Sequence, residues 1–392
     1  MQTPVYKAVS RPPQVFWAPM FPAVINFTIQ MAIMVMVMGA FPGKVNPDIF
    51  ILTFLIVHVG LIVWGQKEPH LSGILLVQNM VRTHWTKDRD LKIDEGLIPS
   101  VAGEYAVRYK EGVLACVFRL NKTAANVTNW GQGLADLNGL GVLIRVVMSN
   151  VEQTHIILSV KEEKDRLRLE DAARGVQSVL RDFEPVLLSA GEGKTFLEKE
   201  LRGSVHFSKN HKSLIVKNHQ AYMTSVGITA LGDQMDTRMF EEILALENEI
   251  TIQHGIEMIP NAKAVPLLVQ QRKMAYFTTF SQHVYNQYTA VLEKLSSFQD
   301  FPEVLCLYAI SIFVTGKSVA EINQVARKVI AILDKYRFKS VLDGNLTQAT
   351  FLTQFPVCSK YPRRFLCPSE TVAVALCTAK PKEEKYKWGT TF

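Results

Sequence analysis

The stretch from Pro12 to Gly43 contains no charged residue, and after a short loop the stretch from Ile49 to Gln66 contains none either. A water-soluble fold would have to bury both on nearly every side, because neither shows the polar face of an ordinary surface helix. Ala23 to Phe41 would span about 28 Å as a helix rising roughly 1.5 Å per residue, enough to cross a bilayer core. Ile49 to Gly65 lies near the lower limit of about 17 residues and suits a thin membrane or little tilt. The link Pro42-Gly-Lys-Val-Asn-Pro-Asp48 is rich in helix breakers and predicts a tight turn. The pattern therefore predicts two membrane-spanning helices in a hairpin, with Ile25, Ile29, Ile33 and Val37 in the first span and Leu52, Leu55, Val59 and Ile62 in the second. The competing reading is a pair of fully buried helices in a soluble core.

Lys7 and Arg11 precede the hairpin, and Lys67, Arg82, Lys87 and Arg89 come after it, which by the positive-inside rule places both ends in the cytoplasm. Trp17 and Trp64 stand where interfacial aromatics belong. Prolines at 12, 13 and 19 break Met1–Met20, which reads as an interfacial lead-in. Met31, Met34, Met36 and Met38 predict a pliable packing surface rather than a metal site, since no His or Cys joins them. Asn26 and Gln30 share one helix face, where they could bond a neighbouring helix. His58 has no carboxylate in either span to relay a proton to, so it reads as a packing residue. Ser72 to Thr86 carries an apolar stripe (Ile74, Leu75, Val77, Met80, Val81) suited to lying at the interface or bridging into the rest of the chain. The charges Lys87 to Lys92 end it.

Most of the apolar excess of these 392 residues precedes position 66, and the remainder of the chain is ordinary globular sequence, enough for about two domains at roughly 100 to 200 residues each. The five cysteines match no zinc spacing, and reduced cytosolic thiols are the expectation. Tyr105–Tyr109 and Val113–Leu120 read as strands joined at Lys110-Glu-Gly112. A helix around Asn126–Leu137, strands Val142–Met148 and His155–Val160, and a charged helix from about Lys164 to Val179 complete a ββαββα order, which predicts an α+β fold with an antiparallel sheet. Farther on come a strand Ala221–Thr229, a helix capped by Asp236 and running to about Glu247, and a strand Ile250–Met258. One long helix starts near Pro266, its core face set by Phe277, Phe280, Val284, Tyr288, Val291 and Leu295. Val304–Thr315 is an almost unbroken apolar run, a strand covered on both faces, and Ser318-Val-Ala-Glu321 reads as a capping box opening a helix to about Tyr336.

The net charge of +7 suits either nucleic acid or an anionic leaflet. Lys199, Arg202, Lys209, Lys212 and Lys217, with His206, His211 and His219, form the most basic stretch, but few aromatics interleave to stack bases, so it reads as a solvated linker or sheet face. The histidine spacing, with no Cys nearby, does not suit metal. Gly191-Glu-Gly-Lys-Thr195 and Thr315-Gly-Lys-Ser318 both resemble the end of a phosphate loop. Such a loop needs a glycine five positions ahead of the second one, and those positions hold Leu188 and Ser311. Both therefore read as turns, with no catalytic constellation and no bound cofactor or metal expected.

Taken in order, several motifs resemble the CagE/TrbE/VirB family of large subunits of bacterial type IV secretion and conjugation machines. They are Tyr222-Met-Thr-Ser-Val-Gly-Ile228, Phe240-Glu-Glu-Ile-Leu244, Glu249-Ile-Thr-Ile-Gln253, Gln270-Gln-Arg-Lys-Met274, Tyr308-Ala-Ile-Ser-Ile-Phe-Val-Thr-Gly316, Phe351-Leu-Thr-Gln-Phe-Pro356, Pro362-Arg-Arg364 with Ser369 and Ala373, and Lys387-Trp-Gly389. The matching positions are Tyr308, Gly316, Pro356, Arg363, Arg364, Trp388 and Gly389, and the likeness covers roughly residues 100 to 392. Residues 1–90, with Tyr6-Lys-Ala-Val-Ser-Arg11-Pro12 ahead of the hairpin, resemble the small TrbD-like inner-membrane subunit of the same machines, as if fused to its neighbour.

The resemblance implies a division into 1–90, 91–200 and 201–392, an inner-membrane anchor, other secretion subunits as partners, and self-association, hexameric in relatives. Relatives continue into an ATPase with a phosphate loop, whereas no such loop precedes Phe392, so ATP is expected only for a motor downstream. The expectation is an assembly subunit that docks to the membrane and its neighbours. The alternatives are a fragment of a complete ATPase and a membrane-tethered DNA-binding module.

Overall fold

The computed structural model describes residues 2–12, 14–15, 18–42, 46–75, 77, 97–121, 127–138, 140–199, 205–208, 210, 212–216, 221–279, 281–296 and 303–377. Its framework is a 13-stranded sheet in which every pairing is antiparallel. The longest strands lie in the middle. Leu305–Gly316 is flanked by Glu249–Ile259 on one side, and by Ala221–Ala230 and Phe365–Pro368 on the other. Beyond Glu249–Ile259 come Leu143–Ser149, His155–Val160 and Leu114–Leu120, with the short strands Ala106–Arg108, Ser100–Val101 and Pro185–Leu187 at that end. The hairpin Val205–Ser208/Ser213–Val216 forms the other end, beside Lys339–Leu342. The α+β architecture expected from the ββαββα order is present, and the sheet runs unbroken across position 200, since Leu143–Ser149 pairs with Glu249–Ile259.

Period-2 alternation sorts the strands onto two covered faces. Cys306, Tyr308, Ile310, Ile312 and Val314 join Ile250, Ile252 and Ile256 in one core, under the helices Val127–Asp136, Arg166–Val179, Thr237–Leu244, Val319–Lys335 and Ser369–Leu376. The opposite face holds Val117, Ile157, Met223 and Phe313 beneath Phe351, Leu352 and Phe355. A third cluster gathers Val9, Leu268, Tyr288, Val291, Leu305 and Leu366.

Three sequence expectations need correction. Residues 2–10 are part of the globular body rather than an interfacial lead-in: Gln2–Pro4 pairs with Gln234–Asp236, and Val9 is fully buried. The long helix is two, Asn261–Thr279 and Gln282–Ser296, packed against each other; it starts five residues early, with Pro266 inside the first. Tyr288, Val291 and Leu295 are buried as their spacing predicts, while Phe280 lies outside the described residues. At Ser318 only half of a capping box forms, because the Glu321 carboxylate accepts from the Lys317 amide at 2.8 Å. A reciprocal box stands instead at Ser189 and Glu192.

Two helices, Met20–Ala40 and Asp48–Lys67, stand out from this body, packed on each other with Phe27 edge-on to Phe54 at 6.0 Å. Both are long and apolar enough to cross a membrane, and only 11% of each apolar window is buried, whereas a soluble core helix would be mostly covered. Ile25, Ile29, Ile33, Leu52, Leu55 and Val59 face outward, and Val37 and Ile62 are half-buried.

The middle of the sheet tests the packing account. A methyl on Gly255 would lie 2.2 Å from the Tyr361 ring, while one on helical Gly131 meets nothing within 4 Å. Gly255→Ala should therefore cost about 2 kcal/mol through overpacking, and Gly131→Ala should be neutral or gain up to about 1 kcal/mol from helix propensity. Denaturant unfolding of the detergent-solubilised chain checks both signs.

Candidate functional site

Across the middle of one sheet face the side chains are small or polar where neighbouring positions are bulky. In register across three strands stand Gly227, Ser311 and Gln253, with the apolar Val147 closing the row on a fourth, and beside them Ala309, Gly255 and Arg145. This row leaves a trough, and residues 353–364 lie in it as a strap. Arg145, fully buried, holds the strap without a carboxylate: its guanidinium donates to the carbonyls of Thr353 (3.2 Å), Phe355 (3.2 Å) and Cys358 (2.8 Å), and to Ser159 Oγ (3.2 Å). Three carbonyl dipoles and a hydroxyl thus replace the water lost on burial. Gln253 Nε2 adds a bond to the Thr353 carbonyl at 2.9 Å, and Tyr361 covers Gly255.

The end of the strap, Tyr361-Pro-Arg-Arg-Phe365, meets the root of the apolar hairpin. Arg363 inserts between two carboxylates, Asp343 from the sheet side and Glu68, which comes directly after the second apolar helix. Its Nε and Nη2 reach Glu68 Oε2 at 3.1 and 2.7 Å, and its Nη1 donates to Asp343 Oδ1. Side-chain exposure is 6% for Arg363, 0% for Asp343 and 16% for Glu68, so water does little to screen the three charges. Asp343 is also bonded by Ser225 Oγ (2.6 Å) and Thr350 Oγ1 (3.0 Å), which satisfies its second oxygen. Burial alone would lower the Arg363 pKa, but the charges and hydrogen bonds of Asp343 and Glu68 outweigh it and raise the value above that of an ordinary guanidinium. Gly227 provides the space, since a Cβ there would lie 2.0 Å from Arg363 Nη1.

Neighbouring contacts extend the junction. Gly73 sits so close to the strap that a Cβ would lie 2.4 Å from the Pro362 carbonyl oxygen, and the His70 ring meets Phe365 edge-on at 4.9 Å. Leu71, Ile74 and Val77, one face of the segment after the hairpin, are buried. This segment bridges from the apolar helices into the body, one of the two roles its stripe suggested; Met80 and Val81 lie outside the described residues. Arg364 bonds Glu257 at 3.2 Å and the Ser359 carbonyl at 2.8 Å.

Of the residues singled out from sequence, the structure brings Pro356, Arg363 and Arg364 together on the strap, with Arg11 and Pro12 lining a cleft beside it. Tyr308 is on the opposite face, fully buried and sharing a 2.6 Å hydrogen bond with His254 Nδ1, and Gly316 ends its strand against Ile322. Trp388 and Gly389 lie outside the described residues. Gly191 to Thr195 form part of the helix Ala190–Leu197, and Ile312 to Val314 lie within the central strand. Of the basic stretch, Lys199 pairs with Glu152 and Lys212 stands in the turn of the edge hairpin with φ of 50°. Among the described residues no group of three potential metal ligands occurs. Glu68, Asp343, Arg145 and Gly255 carry the junction without having stood out in the sequence, and Gly227 entered only as part of the Tyr222–Ile228 motif.

Comparison with known proteins finds a family likeness over part of this junction. Residues 184–364 match the CagE, TrbE, VirB family, a component of the type IV transporter system. The similarity to that family is carried by this part of the chain. Every residue of the strap, and Asp343 with it, falls inside the matched stretch, whereas Glu68 comes from outside it. No curated protein matches the sequence. Among solved structures, xylooligosaccharide oxidase from Myceliophthora thermophila C1 in complex with xylobiose aligns with a TM-score of 0.30 and 12% identity over 65% of this chain and 56% of that one, a likeness too slight to carry an argument.

Burial, with the positive charge of Arg363 beside it, holds the His70 pKa down at about 3, against a bond to the backbone at Thr229 that raises it. The unfolded chain takes up this proton below about 6.5 while the folded chain stays neutral, so the contribution is complete above pH 6.5 and is lost as the pH falls toward 3. His70→Gln should therefore flatten the pH dependence of unfolding between pH 6 and 4 by up to about 1.4 kcal/mol per pH unit. Denaturant midpoints measured across that range check the slope; an unchanged slope contradicts the neutral, buried state.

Proposed function

We propose that the chain is a membrane-anchored assembly subunit of a bacterial type IV secretion or conjugation system, in which the apolar hairpin spans the inner membrane and its root is locked to the CagE, TrbE, VirB domain. The observation that carries this reading is the Arg363 fork, which ties Glu68 at the end of the second apolar helix to the sheet of the family domain. A flexible tether would need no such contact. The root is instead built into the body: Val9, ahead of the hairpin, and Leu71, Ile74 and Val77, after it, are buried, and Glu68 bonds Arg363. On this reading the body hangs at the cytosolic face with both termini on that side, as the flanking cations favour, and the locked geometry fixes where neighbouring subunits and further copies of the chain meet it. The two Gly-Lys-Ser/Thr runs sit in a helix and at a strand end, so we assign nucleotide hydrolysis to neither of them.

After cell lysis and an alkaline carbonate wash the full chain should remain in the membrane pellet, and detergent extraction should bring other type IV secretion subunits with it. Release into the wash as a soluble monomer would contradict both the anchor and the assembly role.

A further inference from the structure

Between the root of the hairpin and the strap lies a cleft of about 390 Å³ that the junction itself does not use. One wall is the chain entering the hairpin, Val9 to Pro12; another is the chain leaving it, Pro69 to Val77; the remainder comes from the helix Asn261–Thr279, Leu307 and the Lys360–Leu366 segment. The described lining residues include three cations, Arg11, Lys360 and Arg364, and no carboxylate. Arg364 is shared with Glu257, but Arg11 and Lys360 are exposed and have no carboxylate partner among the described residues. His70 also lines the cleft, and its Nε2, buried, has no hydrogen-bond partner. Below the cations the lining turns apolar at Val77, Leu267, Leu307 and Leu366.

We propose that this cleft binds the headgroup of one anionic phospholipid. The inference rests on the membrane reading above: if the two helices span the bilayer, the cleft stands where both chain segments enter and leave it, at headgroup depth. The ligand chemistry is set by the lining. Cations without local counter-charge at the rim suit a phosphodiester, and the apolar part beneath suits glycerol and the first methylenes rather than a fully hydrated ion. A soluble phosphate would satisfy the cations alone and leave the apolar part wet, so the lipid is the better occupant.

The full chain reconstituted in phosphatidylcholine nanodiscs, with and without one-fifth phosphatidylglycerol, tests this by native mass spectrometry of lipid retained after partial delipidation. About one phosphatidylglycerol per chain should survive, enriched at least tenfold over phosphatidylcholine, and millimolar inorganic phosphate should not displace it. The double variant Arg11→Gln/Lys360→Gln alters exposed side chains only and should lose the enrichment, while Arg327→Gln/Lys328→Gln, on a distant helix, should keep it. Insertion into nanodiscs with no lipid preference, equal loss in both double variants, or displacement by inorganic phosphate would each overturn the lipid site. Failure to insert at all would overturn the membrane reading instead.

Discussion

The arrangement depends on one buried cation. Arg363 carries a charge into a place where water cannot solvate it, and two carboxylates from parts of the chain far apart in sequence, Asp343 and Glu68, make its burial tolerable. Desolvating such a group costs several kcal/mol, recovered only where geometry and hydrogen bonding are nearly complete. Here they are: the guanidinium fork faces Glu68 on one side and Asp343 on the other, while Ser225 and Thr350 bond the remaining oxygen of Asp343. Because an apolar pair would offer burial without direction, the ionic arrangement specifies one position for the end of the second apolar helix relative to the sheet.

That specificity is set up by what the sheet lacks. Small residues at alternate positions on three adjacent long strands, Gly227, Ser311 with Ala309, and Gly255, hollow out one face while the other face remains an aliphatic core. The strap fills the hollow, and Arg145 fixes its course by reading three of its carbonyls. Sheet, strap and hairpin root are therefore a single packing problem, and a change in any of them is felt at the Glu68 contact.

Much of the fold was legible in the sequence. The two charge-free runs, the strands His155–Val160 and Leu305–Gly316, and the Asp236 cap are local patterns, and local patterns survive folding. The family likeness was legible in the same motifs that build the trough, since Val226-Gly-Ile228 and Tyr308-Ala-Ile-Ser-Ile312 alternate large and small. What was not legible was long-range. Nothing near Glu68 announces a partner 295 residues away, and a lone Asp343 looks like any turn residue. The amino-terminal residues read as a lead-in because prolines near them forbid a continuous helix, but a three-residue strand needs none and finds its partner at Gln234–Asp236. The break between Thr279 and Gln282 was hidden because the apolar spacing runs on across it.

The most direct measurement is a double-mutant cycle on Glu68 and Arg363, using Glu68→Gln and Arg363→Met in the full chain and reading unfolding free energy in detergent. The account predicts that Arg363→Met, which strands Asp343, costs about 3 kcal/mol or more, and that the two changes couple by about 1 kcal/mol or more. Additive effects, or a Glu68→Gln variant as stable as the parent, would mean that the hairpin root is not locked to the sheet.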